Sequence, residues 1–515
     1  MHHSLLLLLT VFVLSLTSCR NDFEFEPSTG GLEFSRDTVY LDTVFTNIGS
    51  STYTLKVYNR SDKDIAIPTV KLKKGEQSNY RLMVDGMPGK VFNNVELMAK
   101  DSMFIFIETT VNIGQANPED FLYTDEIEFY SSNGTQNVNL VTLVQDAIFL
   151  YPERNDVGII ESLPVNEGNE EIRLRGFNLN PTQNNNELHW TNTKPYVIYG
   201  YATVPTGQTL TVDPGARVHF HADSGLMVRP GAQLQINGTD SPNGETTNEV
   251  IFEGDRLEPS FAETPGQWGT VWLRGGSTSN ITNLTIKNAV VGILADGAPA
   301  DAQPVLALTN VQIYNSSNSG ILARNGVIDA RNVAINKSGV ASLALMAGGT
   351  YNFKYSTIAN YINSFNQVPL LMADYADIDG TRYIGDLNIR FDNCIIFGSG
   401  NQGVLFDKKG TDAETAITYL FNHCLIRFID TANQLAGSGF YQFDSANYAG
   451  SIVVRNSSEN KVEFLDPSKN KLNISEESSA NGAADPAVIV ATDIIGTQRS
   501  TAPDIGAYES IIFEE

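Results

Sequence analysis

The sequence has few cysteines and few basic residues. Three cysteines occur among 515 residues, and the two that follow Cys19 cannot supply the disulfide framework of a small secreted scaffold. Acidic residues outnumber basic ones, 59 against 34, for a formal charge of -25. Clusters of Lys and Arg are short, at 71–74 and 408–409. Nucleic acid is therefore excluded as an expected partner, because a polyanion requires concentrated positive charge.

Long apolar runs are also scarce. Residues 5–16 are almost all apolar, which is too short for a mature transmembrane helix and typical of the core of a secretion signal. The run ends at Leu16-Thr-Ser-Cys19, which resembles the lipobox of Gram-negative bacterial lipoproteins, although two histidines replace the usual basic residues. The resemblance implies a signal peptide at 1–18, a lipid on Cys19 that contacts the membrane, and an outer-membrane location in the cell envelope. An ordinary cleaved signal with an incidental cysteine is the alternative.

A short phrase returns through the second half of the chain, an Asn three residues before an Ile. Four copies keep the Asn and two replace it, and they end at Ile286, Ile313, Ile335, Ile358, Ile396 and Ile426, spaced by 27, 22, 23, 38 and 30 residues. A unit of this size cannot bury its own apolar face, so the copies must stack. Their β-branched composition predicts strands that turn one Ile inward, in line with the next. The Asn is predicted to adopt a left-handed conformation and to bond to the Asn of the next unit.

The remaining sequence divides into segments of different pattern. Seven short alternating strands, including a pair around Asn133-Gly134, predict an immunoglobulin-like β-sandwich. One of its segments, Asp37-Thr-Val-Tyr-Leu-Asp-Thr-Val-Phe, resembles the amino-terminal module of bacterial surface lipoproteins. The predicted segments are an acidic tether at 19–31, the sandwich at 32–146, a connector at 147–195 and the repetitive strand region at 196–510. The tether resembles the export signals of surface lipoproteins, with a plain solvated linker as the alternative.

The carboxyl-terminal region resembles the right-handed parallel β-helix proteins of the pectate-lyase-like superfamily. The resemblance comes from the Asn-x-x-Ile phrases, two strand-Pro-Gly-strand phrases at Pro214 and Pro230, and the ending Pro503-Asp-Ile-Gly-Ala-Tyr-Glu509. It implies an all-β chain with a single-stranded, right-handed parallel β-helix. Relatives with this fold include polysaccharide lyases and hydrolases, which need a cationic base with a bound cation, or converging carboxylates. The sequence shows no pattern that indicates either the lyase residues or the hydrolase carboxylates.

Three carboxylates in the 38-residue unit are the best local candidates for a ligand site. Asp374, Asp377 and Asp379 precede Gly380, and insertions in repeat proteins often build a groove. These residues could bind calcium, the one cofactor that the sequence leaves open, although the acidic twelfth residue of an EF-hand loop is missing. A surface turn and a catalytic role are the other interpretations.

Aromatic and histidine residues near the start of the predicted β-helix give further candidates. Trp268 and Trp272 could stack on a glycan or could close the open end of the core. His219 and His221 alternate on one strand and share a face, which points either to solvent or to a metal.

The two later cysteines are predicted to occupy equivalent positions on neighbouring units. Parallel strands lie about 4.8 Å apart, so a disulfide between Cys394 and Cys424 is within reach. Two buried free thiols are the favoured interpretation, because cysteine often behaves as a small core hydrophobe. A metal site is not predicted here, since no Cys-x-x-Cys pattern accompanies them.

Together these features favour a surface-displayed lipoprotein whose β-helix is a scaffold for adhesion or for binding a polysaccharide or another surface ligand, without catalysis. A polysaccharide lyase or glycoside hydrolase on the same scaffold is the alternative. A purely structural envelope component is the third hypothesis.

Overall fold

The computed structural model describes residues 24–166, 169–241, 247–298, 302–364, 367–435, 437–456 and 461–513. The predicted signal peptide and Cys19 lie outside the described residues. Strands account for 52% of the chain and helices for 4%, so the all-β prediction is confirmed. Two compact units divide the chain, Met1–Asp146 and Ala147–Glu515. Among the described residues, no helix has the length and apolar character needed to span a membrane.

Unit 1 contains two sheets. Its strands are β1 Glu26–Pro27, β2 Glu33–Phe34, β3 Thr38–Phe45, β4 Tyr53–Tyr58, β5 Ile65–Leu72, β6 Tyr80–Val84, β7 Met87–Gly89, β8 Val91–Leu97, β9 Ser102–Thr109, β10 Leu122–Ser131 and β11 Gly134–Gln145. One sheet has the order β1-β5-β10-β11-β3 with β8 also on β5, and the other has the order β2-β4-β9-β6-β7. Side chains from both sheets, such as Ile67 and Ile107, form one buried core. The predicted hairpin is confirmed, since β10 pairs antiparallel with β11 as far as Ser131 and Gly134.

Unit 2 is built almost entirely of short strands. The strands at its start are β12 Ile148–Leu150, β13 Ser162–Asn166, β14 Asn169–Asn178, β15 His189–Trp190, β16 Tyr196–Ile198, β17 Tyr201–Val204, β18 Thr209–Val212, β19 Arg217–Phe220, β20 Gly225–Val228, β21 Gln233–Asn237, β22 Val250–Gly254, β23 Val271–Arg274, β24 Thr278–Lys287 and β25 Val291–Asp296. The strands that follow are β26 Val305–Ser316, β27 Ser319–Ser338, β28 Ala341–Lys354, β29 Thr357–Asn360, β30 Val368–Ala373, β31 Tyr375–Ile378, β32 Thr381–Ile384, β33 Leu387–Asp392, β34 Ile395–Gly398, β35 Val404–Asp407, β36 Ile417–Asn422, β37 Leu425–Arg427, β38 Ile452–Val454, β39 Phe464–Asp466 and β40 Lys471–Ile474. Short 3-10 helices lie at Gly75–Gln77, Ile113–Gln115, Pro259–Phe261, Gly439–Tyr441, Ala446–Tyr448 and Pro467–Lys469.

Parallel pairing arranges most strands of unit 2 in three columns. The first column is β14-β17-β20-β23-β25-β27-β28-β30-β35. The second is β15-β18-β21-β24-β26-β27-β28-β33-β36. The third is β12-β16-β19-β22-β24-β26-β27-β29-β34-β37-β38. The long strands belong to more than one column, so the chain bends within them.

The predicted line of isoleucines is confirmed in the third column. Phe252 and the six isoleucines are paired in register, each with the next, in the order Phe252, Ile286, Ile313, Ile335, Ile358, Ile396 and Ile426. All seven side chains are fully buried. When equivalent repeats stack, each repeat buries the apolar face of its neighbour, which a single repeat cannot do alone.

The residue three positions before each Ile forms the bend between the second and third columns. All six are left-handed, with φ between 48° and 56°: Asn283, Asn310, Asn332, Tyr355, Asn393 and His423. The predicted bond between neighbouring copies is present where Asn332 Nδ2 donates to Asn310 Oδ1 at 2.9 Å. Asn283 instead donates to Asp240 at 2.7 Å. Asn suits these bends because its short polar side chain tolerates the left-handed region.

Residues 147–195, for which the sequence predicts a connector, contribute strands to the columns of unit 2. Strands β12, β14 and β15 pair in parallel with β16, β17 and β18, so this segment begins all three columns. Trp190 is fully buried in the same core as the isoleucines. The physical reason is that the open end of a stack would expose unpaired backbone and apolar side chains, so the chain covers it.

Residues 484–511, which we call the C-terminal strap, lie against the bends and contact several of them. Asp485 N donates to Asn393 Oδ1 at 2.7 Å, and Asn332 Nδ2 donates to Thr492 O at 3.0 Å. Further along, Tyr508 Oη donates to Gln312 Oε1 at 3.3 Å. The strap therefore connects several repeats of the Asn-x-x-Ile series from the outside.

A buried ion pair holds the end of the strap in place. Arg499, whose side chain is 3% exposed, binds Glu509 at 2.8 Å and donates to Asn332 Oδ1 at 3.0 Å. Its guanidinium lies 4.0 Å from the centre of the Tyr355 ring. Gly506 has φ of 107°, and a Cβ there would lie 2.6 Å from Ile395 Cδ1. The ending phrase at 503–509 thus has a packing role.

Candidate functional site

A cleft of about 750 Å³ lies within the first residues of unit 2. Three parts of the chain line it: β12 with the turn that follows, the β13–β14 hairpin, and the Asn-rich loop after β14. The lining residues include Phe149, Tyr151, Glu153, Asn155, Glu161, Arg173, Phe177, Asn178, Asn180, Gln183, Asn184 and Glu187. We call this the Asn-rich cleft. The cleft lies where residues 147–195 cover the open end of the three columns. Covering this end requires loops that fold back over one another, and the cleft lies between them.

Glu187 organises the Asn-rich loop. Its side chain is buried, and it accepts hydrogen bonds from Asn180 N and Asn184 Nδ2, each at 2.8 Å. Asn184, Asn185 and Asn186 all have positive φ, from 45° to 84°. Three consecutive left-handed residues turn the chain tightly, and asparagine is the residue apart from glycine that best tolerates this conformation.

The opposite wall of the cleft is fixed by backbone contacts. Asn155 Oδ1 accepts from Ile159 N at 2.8 Å, and Glu161 Oε2 accepts from Glu153 N at 3.3 Å. Tyr151 stands beside these groups with 61% of its surface exposed. The cleft therefore presents an accessible aromatic ring next to amides and carboxylates on a braced frame.

This combination of groups suits a polyhydroxylated ligand. An aromatic ring packs against the apolar face of a sugar, while amides and carboxylates exchange hydrogen bonds with hydroxyl groups. Sequence reasoning missed the cleft. The available signal is the run of Asn and Gln at 178–186, whose composition predicts only a connector.

The three predicted aspartates do not converge on one point. Asp374 is fully buried and accepts from Lys409 N, Gly410 N and Thr415 Oγ1 at 2.7, 2.9 and 2.5 Å. Asp377 forms a two-pronged ion pair with Arg382 at 2.8 and 2.9 Å. Asp379, with φ of 49°, belongs to the turn of the β31–β32 hairpin. The calcium-site prediction is therefore not supported by this geometry, and the surface-turn interpretation fits Asp377 and Asp379.

A smaller cavity of about 350 Å³ lies at the base of the same hairpin, lined by residues that include Gln303, Asn325 and Asp386. None of the three predicted aspartates lines it. The long unit does form a depression, but with other side chains than the sequence suggested.

Trp268 and Trp272, the two tryptophans predicted to stack on a glycan, have different environments. Trp268 is 1% exposed and stacks on Phe220 with ring centres 4.3 Å apart, so it closes the core and presents no ring to a glycan. Trp272 points outward and is half-buried. The Arg274 guanidinium lies 4.6 Å from the centre of its ring, and its Nε1 donates to Asp296 at 3.0 Å.

Both histidines of the predicted pair contact neighbouring protein groups. His219 is buried beside Gly254 O at 3.3 Å, and burial lowers the pKa of its imidazole. His221 Nδ1 lies 2.7 Å from Asp255 Oδ2. Within the described ranges, no group of three or more His, Cys, Asp or Glu residues is placed to hold a metal ion.

Cys394 and Cys424 occupy equivalent positions, as their neighbours Asp392 and Asn422 are paired in register. Both are free thiols and fully buried, so the disulfide alternative does not match the structure. Burial, together with the neighbouring Cys424, raises the pKa of the Cys394 thiol. A buried thiol with a raised pKa carries little of the reactive thiolate form.

We therefore expect the native chain from Arg20 onward to resist a thiol-specific reagent such as Ellman's reagent near neutral pH. Unfolding in urea without reductant should release both thiols. Spectrophotometric titration measures both states. Rapid labelling of the native chain would contradict the buried placement, and fewer than two thiols after unfolding would indicate the disulfide instead.

Comparisons with known proteins add little to this geometry. No protein-family model matches the chain, and no curated protein matches it. A solved structure of a family 123 glycoside hydrolase from Clostridium perfringens, described for glycolipid glycan hydrolysis, aligns with a TM-score of 0.15 and 9% identity. The alignment covers 22% of this chain and 26% of that chain. So low a TM-score does not indicate a shared fold, and the similarity carries no conclusion.

Proposed function

We propose that the protein is a cell-envelope lipoprotein, displayed at the cell surface, that binds a glycan in the Asn-rich cleft. In this proposal Cys19 carries the lipid, unit 1 is an immunoglobulin-like stalk, and unit 2 is a right-handed parallel β-helix of the pectate-lyase-like kind. The lipid anchor is supported by the lipobox-like sequence, and the stalk by two sheets that share one core.

The β-helix assignment is supported by the three columns of parallel strands. Units of 22 to 38 residues repeat the same bend and the same inward Ile, as expected when each unit is one coil. A scaffold of this kind is rigid along its length, because each coil is paired to both neighbours.

The observation that carries the binding proposal is the composition of the Asn-rich cleft. It combines an exposed Tyr151 with amide, carboxylate and guanidinium side chains in a concavity of about 750 Å³. That volume is typical of sites that enclose a small ligand, and for a longer polymer it would hold one or a few sugar units.

Replacing Tyr151 with Ala should remove most of the glycan affinity, by roughly tenfold or more, because the ring supplies the main apolar contact. A glycan array with the chain from Arg20 onward identifies the ligand, and calorimetry then measures the affinity of each variant. Tyr40→Ala is the matched control, since Tyr40 is 63% exposed on unit 1 and Tyr151 is 61% exposed.

Three outcomes would contradict this proposal. Equal affinities of Tyr151→Ala and the parent chain would place the site elsewhere. Turnover of a bound glycan that is lost in Glu161→Gln would favour the hydrolase alternative, because three glutamates line the cleft. Absence of binding by a folded parent chain would favour a purely structural role.

A further inference from the structure

An apolar face is exposed on the second sheet of unit 1. Phe104 and Phe106 are 49% and 39% exposed, and Met83 is 41% exposed. The side chains of β9 alternate between the two faces of the sheet. Ile105 and Ile107 are therefore buried in the core, while Phe104 and Phe106 point outward. Contiguous exposed apolar side chains mark an interaction surface more often than isolated ones do.

Strand pairing gathers Phe104, Phe106 and Met83 on one face of the sheet. Met83 is paired directly with Phe106, and directly paired residues of antiparallel strands point to the same face. The two phenylalanine rings are stacked with centres 6.5 Å apart. The Lys56 ammonium lies 5.2 Å from the centre of the Phe104 ring, at the rim of the patch. We call Phe104, Phe106 and Met83 the Phe104 patch.

The chain enters unit 1 at the same end as this patch. Glu26 is paired with Ile65, and the loop before Ile65 follows Tyr58, whose partner across the sheet is Ser102. Phe104 is only two residues beyond Ser102. Because β1 runs parallel to β5, the residues before Glu26 lead away from the unit at this end.

The distance to the proposed lipid anchor is short. Six residues lie between Cys19 and Glu26. The seven steps from one to the other span at most about 3.6 Å each in an extended chain, so the separation is no more than roughly 25 Å. A bilayer that holds this lipid would therefore lie within roughly 25 Å of Glu26, at the end of unit 1 that carries Phe104.

We propose that the Phe104 patch rests on the surface of the lipid bilayer and gives the protein a second, non-covalent membrane contact. This inference rests on the proposed lipid anchor. Aromatic and Met side chains enter the boundary between headgroups and acyl chains, while a lysine at the rim keeps its ammonium in water. The acidic composition makes electrostatic attraction to anionic lipid unimportant here. Tethering by the lipid raises the local concentration of membrane, so a weak contact is sufficient.

The test uses the non-lipidated chain from Arg20 onward and vesicles of phosphatidylcholine, separated by flotation. We expect measurable partition of the parent chain that does not fall with added salt, because the contact is apolar. Phe104→Ser with Phe106→Ser should lower the partition coefficient by roughly tenfold. The double variant Tyr40→Ser with Leu143→Ser removes exposed apolar side chains from the other sheet and should leave partition unchanged.

Equal partition of the two double variants, or no partition of the parent chain, would overturn the inference. A parent dimer in sedimentation that becomes monomeric in the Phe104 and Phe106 double variant would also overturn it, because the patch would then join two copies. Whether Cys19 carries the lipid is tested separately, by mass spectrometry of the protein from the membrane fraction. The vesicle measurement does not depend on that result or on glycan binding.

Discussion

Ile313→Asp is expected to destabilise unit 2 by at least about 4 kcal/mol, because it places a charge in a closed stack of aliphatic side chains. Ile313 is fully buried and is paired in register with Ile286 and Ile335. The carboxylate would have no cation or donor within the column. Urea unfolding followed by tryptophan fluorescence reports on this unit, since Trp190, Trp268 and Trp272 are the three tryptophans of the chain and all belong to it.

The matched control is Val305→Asp on the same strand. Val305 is 45% exposed, so its replacement should change the free energy of unfolding by only about 0.5 kcal/mol. Similar unfolding midpoints for Ile313→Asp and the parent chain would contradict the inward placement of the isoleucines.

Arg499→Ala is expected to destabilise unit 2 by roughly 3–5 kcal/mol, because it leaves the Glu509 carboxylate without its buried partner. The same substitution removes a bond to Asn332 and the contact with the Tyr355 ring. Burial lowers the pKa of the Arg499 guanidinium, yet the group remains charged at any ordinary pH. The measurement is again urea unfolding monitored by tryptophan fluorescence.

Arg331→Ala is the control for the loss of one positive charge. Arg331 lies exposed on β27 and its Nε donates to Thr309 Oγ1 at 3.1 Å. We expect a change of less than about 1 kcal/mol for this exposed contact. If Arg499→Ala were equally mild, the strap would not contribute to the stability of the columns.

The repeated phrase predicted the third column well, because its two signals have independent physical causes. Burial selects the Ile, and the left-handed bend selects the Asn. The bend persists where the Asn is absent, at Tyr355 and His423, with φ of 48° and 49°. The register of the neighbouring parallel strands therefore dictates this backbone conformation, and the Asn is only the residue that adopts it most easily.

Other parts of the structure depend on contacts between residues far apart in sequence, and pattern alone could not supply them. Arg499 meets Asn332 across 167 residues, and neither side chain has a local signal for that contact. The burial of Asp374 depends on donors at Lys409, Gly410 and Thr415. An acidic cluster in sequence therefore became one structural carboxylate, one surface ion pair and one turn.

The Asn-rich cleft was missed for a related reason. A segment rich in Asn and Pro has the composition of a loop, and composition does not show that a loop caps an open stack of strands. Here the capping role creates the concavity, since Glu187 braces the loop while Tyr151 remains exposed. Loops held by a rigid scaffold are the usual location of binding residues.

Hydrogen–deuterium exchange of the chain with and without its array-identified glycan tests the central claim most directly. We predict slower exchange on binding for peptides that cover 149–162 and 173–187, with no change for peptides that cover the buried column at 305–358. Protection confined to the column, to unit 1 or to the β31–β32 hairpin would contradict a glycan site in the Asn-rich cleft.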